Sequence, residues 1–238
     1  MRILVVAATA AEVAPLVSRL RADGPAPTFA RRATAGEEAG PPVRQYTVGH
    51  HDIDILVTGV GMVATAAWTS RELARERYNA AFNFGVCGSF NRAFAPGTVV
   101  HVVTDRLAEL GAEDGDTFLT IQQMRLLDDD EFPFEGGRLV NVSPPQHGAL
   151  RSLSAVHGIT VNTVHGNERS IASVVERFTP DVESMEGAGF MYACLIHGVP
   201  FAQVRAVSNI VERRNRDAWQ LDLAMSRLGE VAWDLLEA

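Results

Sequence analysis

The sequence predicts a three-layer α/β sandwich with helices on both faces of a mixed, mostly parallel central sheet, and three observations predict it. Short runs rich in Val and Ile recur along the chain, they are continuously apolar rather than alternating, and helical patterns separate them. Continuous hydrophobicity marks strands covered on both faces, and βαβα alternation marks a layered architecture.

The elements follow in order from pattern and punctuation. Residues 3–8, Ile-Leu-Val-Val-Ala-Ala, read as the first strand and 10–21 as the first helix. Residues 53–58 give the second strand, and the glycines at 59 and 61 turn the chain into a helix over 62–77. Runs at 80–84, 99–103 and 161–164 supply three more strands. A pattern of small and apolar residues makes 187–196 a helix, 201–207 is the last strand, and 218–237 is the last helix. Residues 31–44, with Gly36, Gly40, Pro41 and Pro42, read as an exposed hairpin or loop, and 128–137 as an acidic, Gly-containing turn. With no internal repeat and no linker-like stretch, residues 1–238 read as one domain.

The 238 residues are 47% apolar and 21% charged, sufficient to bury a sizeable core without covalent staples. A net charge of −8 disfavours a polyanionic partner, because nucleic-acid binding requires clustered cations. No nucleic acid is therefore expected. The apolar run after Arg2 stops at Thr9 and Glu12, too short for a leader, and nothing approaches the roughly 18 apolar residues of a membrane span. A cytoplasmic protein that binds no membrane is the expectation. Cys87 and Cys194 lie far apart in apolar surroundings, without a CxxC pair, and read as buried reduced thiols. His147, His157 and His165 are scattered singly and lack metal spacing.

In open α/β sheets, ligands bind beyond the carboxyl ends of the strands. Thr9 to Glu12, Gly59 to Gly61, Gly85 to Ser89 and Ser208 to Glu212 meet that test, and Glu183 to Glu186 adds a helix start. Gly59-Val60-Gly61-Met62-Val63-Ala64 fits the G-x-G-x-x-A dinucleotide pattern but lacks the acidic residue that should end a following strand. A tight strand-to-helix turn is the better reading. Gly85-Val86-Cys87-Gly88-Ser89 reads as a second Gly-rich turn whose amides could form an anion nest. With Asn83, Phe84 and Val86 around it and no cation beside it, a neutral ligand is favoured over phosphate. Glu12 taken alone is explained as a partner for a helix dipole. Glu183 and Glu186 are three apart and would share a helix face, where like charges are disfavoured unless one meets a ligand or a donor. Their neighbours Met185, Gly187, Ala188, Phe190 and Met191 imply that at least one carboxylate is enclosed.

Taken in chain order, Glu12, Gly59-Val60-Gly61, Gly85-Val86-Cys87-Gly88, Val182 to Gly187 and Arg205-Ala206-Val207-Ser208-Asn209 resemble one superfamily. It is that of the purine nucleoside phosphorylases and 5′-methylthioadenosine/S-adenosylhomocysteine nucleosidases, and the resemblance spans nearly the whole chain. Within it, the run from Arg205 to Arg216 is most similar to the futalosine hydrolases. The resemblance implies the nucleoside phosphorylase fold, a small-molecule nucleoside substrate, no metal or organic cofactor, and a homodimer or higher homo-oligomer. Phosphorylases hold phosphate with Arg and Ser at positions that match Asn83 and Val86 here, and place Arg where this chain has Ala10, Ala11 and Glu12. None of these neutralises a dianion, so water is the expected nucleophile. The resemblance further implies Glu12 as general base on that water, Glu186 on the ribose hydroxyls and Met185 against the sugar. Gly59, Val86, Cys87, Gly88, Glu183 and Ser208 are additional substrate-binding candidates, and the backbone of 163–169 is a base-contacting loop.

Asn209, the second catalytic candidate, carries most of the choice of base. The adenine-specific nucleosidases place Asp at the matching position, where it accepts from an exocyclic amine and helps protonate N7. An asparagine offers NH₂ donors to O6 or N7 and is not a strong acid. A 6-oxopurine nucleoside is therefore the expected substrate. A methylthioadenosine nucleosidase is the alternative, followed by a phosphorylase, a dinucleotide-binding oxidoreductase and a catalytically silent binding module. Protonation of the leaving base then needs another source, water among them. Arg213, Arg214 and Arg216 are candidates to meet an anionic substituent on the sugar side, or form a solvated cluster with Glu212. Trp219 is a candidate to stack on a ring, or belongs to the core.

Overall fold

The computed structural model describes residues 1–23, 28–30 and 40–237. Strand β1 (Arg2–Ala7) precedes α1 (Ala14–Asp23), β2 (Thr28–Ala30), β3 (Val43–Val48), β4 (His51–Val57), α2 (Met62–Arg75) and β5 (Ala80–Ser89). Next come β6 (Val99–Asp105), the hairpin of β7 (Gly111–Asp114) and β8 (Thr117–Thr120), and the short pair β9 (Phe134–Glu135) and β10 (Arg138–Val140). Then follow α3 (Gly148–Ser152), β11 (Ser154–Thr160), α4 (Glu168–Phe178) and β12 (Val182–Ser184). The chain ends with α5 (Gly187–His197), β13 (Phe201–Ile210) and α6 (Leu221–Leu236).

β5 organises the sheet. Its first half pairs in parallel with β1, from Ile3 opposite Ala80 to Val6 opposite Asn83, and β4, β3 and β2 lie beyond. On that same edge its last residues pair antiparallel with β12, Gly88 opposite Glu183 and Ser89 opposite Val182. Its other edge runs parallel to β13. Since β13 pairs with β6, β6 with β11 and β11 with β12, five strands close into a ring at one end of the mixed sheet.

Both faces are covered, which is why the strands read as unbroken apolar runs. Ile3, Val5 and Ala7 point into the layer formed with α1 and α6, among Leu16, Leu20, Leu228 and Trp233. Leu4 and Val6 point into the opposite layer, among Leu73, Phe190, Met191 and Cys194 of α2 and α5. The alternation of a pleated strand thus feeds two cores at once. Both cysteines are free and buried. Among the described residues, no helix is long and apolar enough to cross a membrane.

Several elements differ from the sequence expectation. The strand expected at 161–164 is β11, seven residues earlier at its start, and 161–164 is the loop beyond it. β11 is exposed along its first half, so its apolar pattern is broken. The Gly-rich segment 85–89 is no turn but the continuation of β5, paired with β13. Glu183 lies in β12, a three-residue strand, while Glu186 caps α5, so the two do not share a helix face. α1 begins at Ala14 because residues 9–13 form a turn, and α6 begins at Leu221. Of the loop expected at 31–44, residues 31–39 lie outside the described residues, and Val43 and Arg44 begin β3.

Candidate active site

Glu12 fills a gap in the edge of β5. Between the end of β1 at Asn83 and the start of β12 at Gly88, that edge has no strand partner, and the Val86 N–H there donates to Glu12 Oε1 at 3.2 Å. The turn after β1 holds the other oxygen: the Thr9 N–H and hydroxyl donate to Oε2 at 2.8 and 3.0 Å. The carboxylate is 7% exposed and fixed by donors on both oxygens, so its orientation is set before any ligand arrives.

Opposite Glu12 stands a cation that the sequence reading placed in the motif but gave no role. Arg205, in the middle of β13, is fully enclosed. Its Nη2 donates to Asn83 Oδ1, and the Asn83 amide in turn donates to Val6 O at 3.0 Å. Nη1 lies 3.9 Å from Glu186 Oε2. Gly85 is required for this arrangement, since a Cβ there would collide with the guanidinium and lie 2.9 Å from Glu12 Oε1. Arg205 and Glu12 therefore flank the same point on β5. The expectation of no cation beside Gly85-Val86-Cys87-Gly88 is thus corrected; the cation comes from the neighbouring strand, opposite Gly85 in register.

Glu186 is 5% exposed and is held by the other Gly-rich segment. The Gly61 N–H donates to its Oε1 at 3.1 Å, while the Gly59 N–H donates to Ala8 O at 3.0 Å. Gly61 has φ of 102°, a backbone conformation that favours glycine. Both amides are engaged within the protein, so neither is free to meet a phosphate and Gly59 offers no free donor. Met185, next to Glu186, is half-buried.

The far end of the site is polar and ordered by β13. Its register shifts at Ser208, a bulge that brings Ser208 and Asn209 together at the end of the strand. Asn209 Nδ2 lies 3.0 Å from Ile210 O, which only accepts, so that atom is the amide nitrogen. Oδ1 therefore faces the Ser208 hydroxyl, which donates to it at 2.8 Å and also lies 3.1 Å from Cys87 O. The remaining amide N–H is free to donate. A Cβ on Gly88 would sit 2.8 Å from Val211 Cγ2, 3.4 Å from Asn209 Nδ2 and 3.5 Å from Glu183 Cγ, so these three side chains converge above Gly88. Cys87 is buried, and its thiol is pushed up to about 12, chiefly by desolvation, which leaves it unreactive.

Glu183 stands apart from Glu186. Both its oxygens accept from His165, Oε1 from the backbone N–H at 3.0 Å and Oε2 from Nδ1 at 2.6 Å. The structure thus brings Glu12, Gly85, Val86, Glu186 and Arg205 to one end and Cys87, Gly88, Glu183, Ser208, Asn209 and His165 to the other. Glu212 pairs with Arg92 at 3.6 Å, and among the described residues no ion pair joins it to Arg213, Arg214 or Arg216. Arg214 lies over Trp219 at 5.6 Å, and its N–H donates to Gly166 O at 3.1 Å. Arg213 and Arg216 are exposed.

An enclosed carboxylate and guanidinium facing a second carboxylate, with an amide donor beyond, suit a neutral sugar joined to a polar base. A profile of the Phosphorylase superfamily matches residues 2–237, and the chain belongs to that superfamily. It is a hydrolase of N-glycosyl compounds, a nucleosidase. The futalosine hydrolase of Acidothermus cellulolyticus is 32% identical over 184 residues, which cover 74% of this chain and 71% of the relative. That of Streptomyces coelicolor is 30% identical over 192 residues, 76% of this chain and 77% of the relative. The native structure of the Helicobacter pylori futalosine hydrolase superposes with a TM-score of 0.79 at 13% identity, covering 100% of this chain and 97% of that one.

Proposed function

We propose that the enzyme hydrolyses the N-glycosidic bond of futalosine and releases hypoxanthine, a step of menaquinone biosynthesis. The orientation of Asn209 carries the reading: with Nδ2 set by Ile210 O and Oδ1 by Ser208, the amide presents a donor suited to O6 or N7 of a 6-oxopurine. A water between Glu12 Oε1 and Arg205 Nη1 is the nucleophile, with Glu12 as its base. Glu186 takes the ribose hydroxyls, Met185 covers the sugar, and the two carboxylates favour the oxocarbenium-like transition state. The benzoate carboxylate of futalosine meets a cation among Arg213, Arg214 and Arg216. Purine release is followed with futalosine, inosine and methylthioadenosine, with and without phosphate. Release from methylthioadenosine but not futalosine would reject the substrate, and dependence on phosphate would reject hydrolysis.

The same reading places the enzyme in the cytoplasm, consistent with two free buried thiols. It also makes the enzyme a homodimer. α5 is apolar nearly all round, yet Tyr192 and Ile196 are 37% and 44% exposed on it, and Val63 on the adjoining α2 is 76% exposed. A second copy covering this face explains the composition. Sedimentation of the parent and of Tyr192→Glu tests it; a parent that sediments as a monomer at micromolar concentration rejects it.

A further inference from the structure

The proposed site holds a base for the water and no acid for the departing purine. Asn209 is a neutral amide, and the Cys87 thiol holds its proton. His165 is joined through Glu183 to the strand end that carries Gly88 and Asn209. The Glu183 carboxylate only accepts, so His165 Nδ1 is the protonated nitrogen of their 2.6 Å contact and Nε2 is the one free to exchange a second proton. The ring meets Phe90, the first residue after β5, with centroids 6.2 Å apart. The loop that carries it is anchored at both ends. Glu109 accepts from the Asn162 and Thr163 N–H groups at 2.7 and 3.3 Å, and Arg214 N–H donates to Gly166 O at 3.1 Å. It is thereby held against Glu183, whose register partner Gly88 is also that of Asn209.

We propose that His165, oriented by Glu183, is the general acid that protonates the leaving purine. The proposal rests on the nucleosidase reading above and adds the proton step to it. As the C1′–N9 bond breaks, its electron pair passes to the purine and the Nε2 proton of the imidazolium passes to N7. The water oxygen bonds to C1′ and its proton passes to Glu12. Solvent then returns a proton to His165 and removes one from Glu12. Besides Glu183, the charged residues that line a cavity with His165 are Glu109, Glu113, Asp116, Arg169 and Arg177, and Arg214 meets the loop at Gly166. Asn209 orients the base in this scheme, and His165 supplies the proton that an aspartate at 209 would otherwise help supply.

The test compares futalosine with its N7-methylated derivative, whose base departs neutral without an added proton, in the parent and in His165→Gln. General acid catalysis is worth about 10²–10⁴-fold, so kcat for futalosine should fall at least about 10²-fold, and that for the methylated substrate less than about threefold. Retained turnover of the methylated substrate also shows that the variant folds. Glu183→Gln should give the same selective loss at smaller size. Equal losses on both substrates would mean that the loop only shapes the pocket, and unchanged futalosine turnover would mean that the proton comes from elsewhere; either overturns the proposal. Should the parent release purine from methylthioadenosine instead of futalosine, the substrate reading alone fails. The same comparison with methylthioadenosine and its N7-methyl derivative then decides His165.

Discussion

Arg205 Nη1 lies 3.9 Å from Glu186 Oε2, with the guanidinium wholly enclosed and the carboxylate side chain 7% exposed. Removing one partner of a buried pair strands the other charge, at a cost of about 3–5 kcal/mol. Arg205→Met should therefore lower stability in urea unfolding by about that amount. The double change Arg205→Met with Glu186→Gln should lose less than the sum, because the stranded carboxylate is gone. Additive losses in the cycle would show that the pair does not interact.

Glu12 is held by Thr9 and Val86 rather than by any catalytic partner, so its geometry survives a conservative change. Glu12→Gln removes the base and keeps the shape, although its amide must face a donor, which costs about 1–3 kcal/mol. Turnover should fall by about 10²–10⁴-fold while hypoxanthine still binds. Steady-state kinetics and calorimetric titration with hypoxanthine check the two halves separately. A variant with parental turnover would remove Glu12 from the mechanism.

The parts of this fold legible in the sequence are those buried on two faces. β1, β4, β6 and β13 read as apolar runs because both α-layers press on them. β12 was read as a helix start because it spans three residues and carries Glu183 and Ser184. α4 carries a start signal in the sequence: Asn167 precedes it, and its side chain accepts from the Arg169 and Ser170 N–H groups as a helix cap. Glu12 and Asn209 stand out in the sequence because strand ends position ligand-binding groups, and Glu186 because it precedes a helix. Arg205 does not, because an arginine in an apolar strand gives no hint that its partners are Asn83 and Glu186, 122 and 19 residues away in the chain. The Glu183 link to His165 is equally silent in the sequence.

Asn209→Asp tests the choice of base. The Ile210 carbonyl lies 3.0 Å from the amide nitrogen, so a carboxylate there meets an acceptor with an acceptor, and it repels O6 of a 6-oxopurine as well. Sites built around one hydrogen-bond pattern discriminate by about 10⁴-fold or more. The ratio of kcat/KM for futalosine over methylthioadenosine should fall by at least about 10²-fold, within that range. An unchanged ratio would show that Asn209 does not face the base.

Asp105 lies beneath the first turn of α5, wholly buried, where it accepts from Thr160 Oγ1 at 2.9 Å and from Gln203 Nε2 at 3.2 Å. Thr160 Oγ1 accepts in turn from the Ala188 N–H at 2.7 Å, and a Cβ on Gly187 would collide with the carboxylate. Burial pushes Asp105 up to about 6 from 3.8, against the opposing pull of its hydrogen bonds and of the Arg205 charge. The fold thus favours the protonated form. Its contribution to stability is complete below about pH 4 and is lost as pH rises through about 6. An asparagine carries no such titration, and it finds a partner if the Gln203 amide turns over, since Gln203 Oε1 has no hydrogen bond among the described residues. Asp105→Asn should therefore unfold at higher urea than the parent at pH 8, by on the order of 2–3 kcal/mol, and match it near pH 4. A difference that does not change between those two pH values would show that Asp105 does not titrate with the fold.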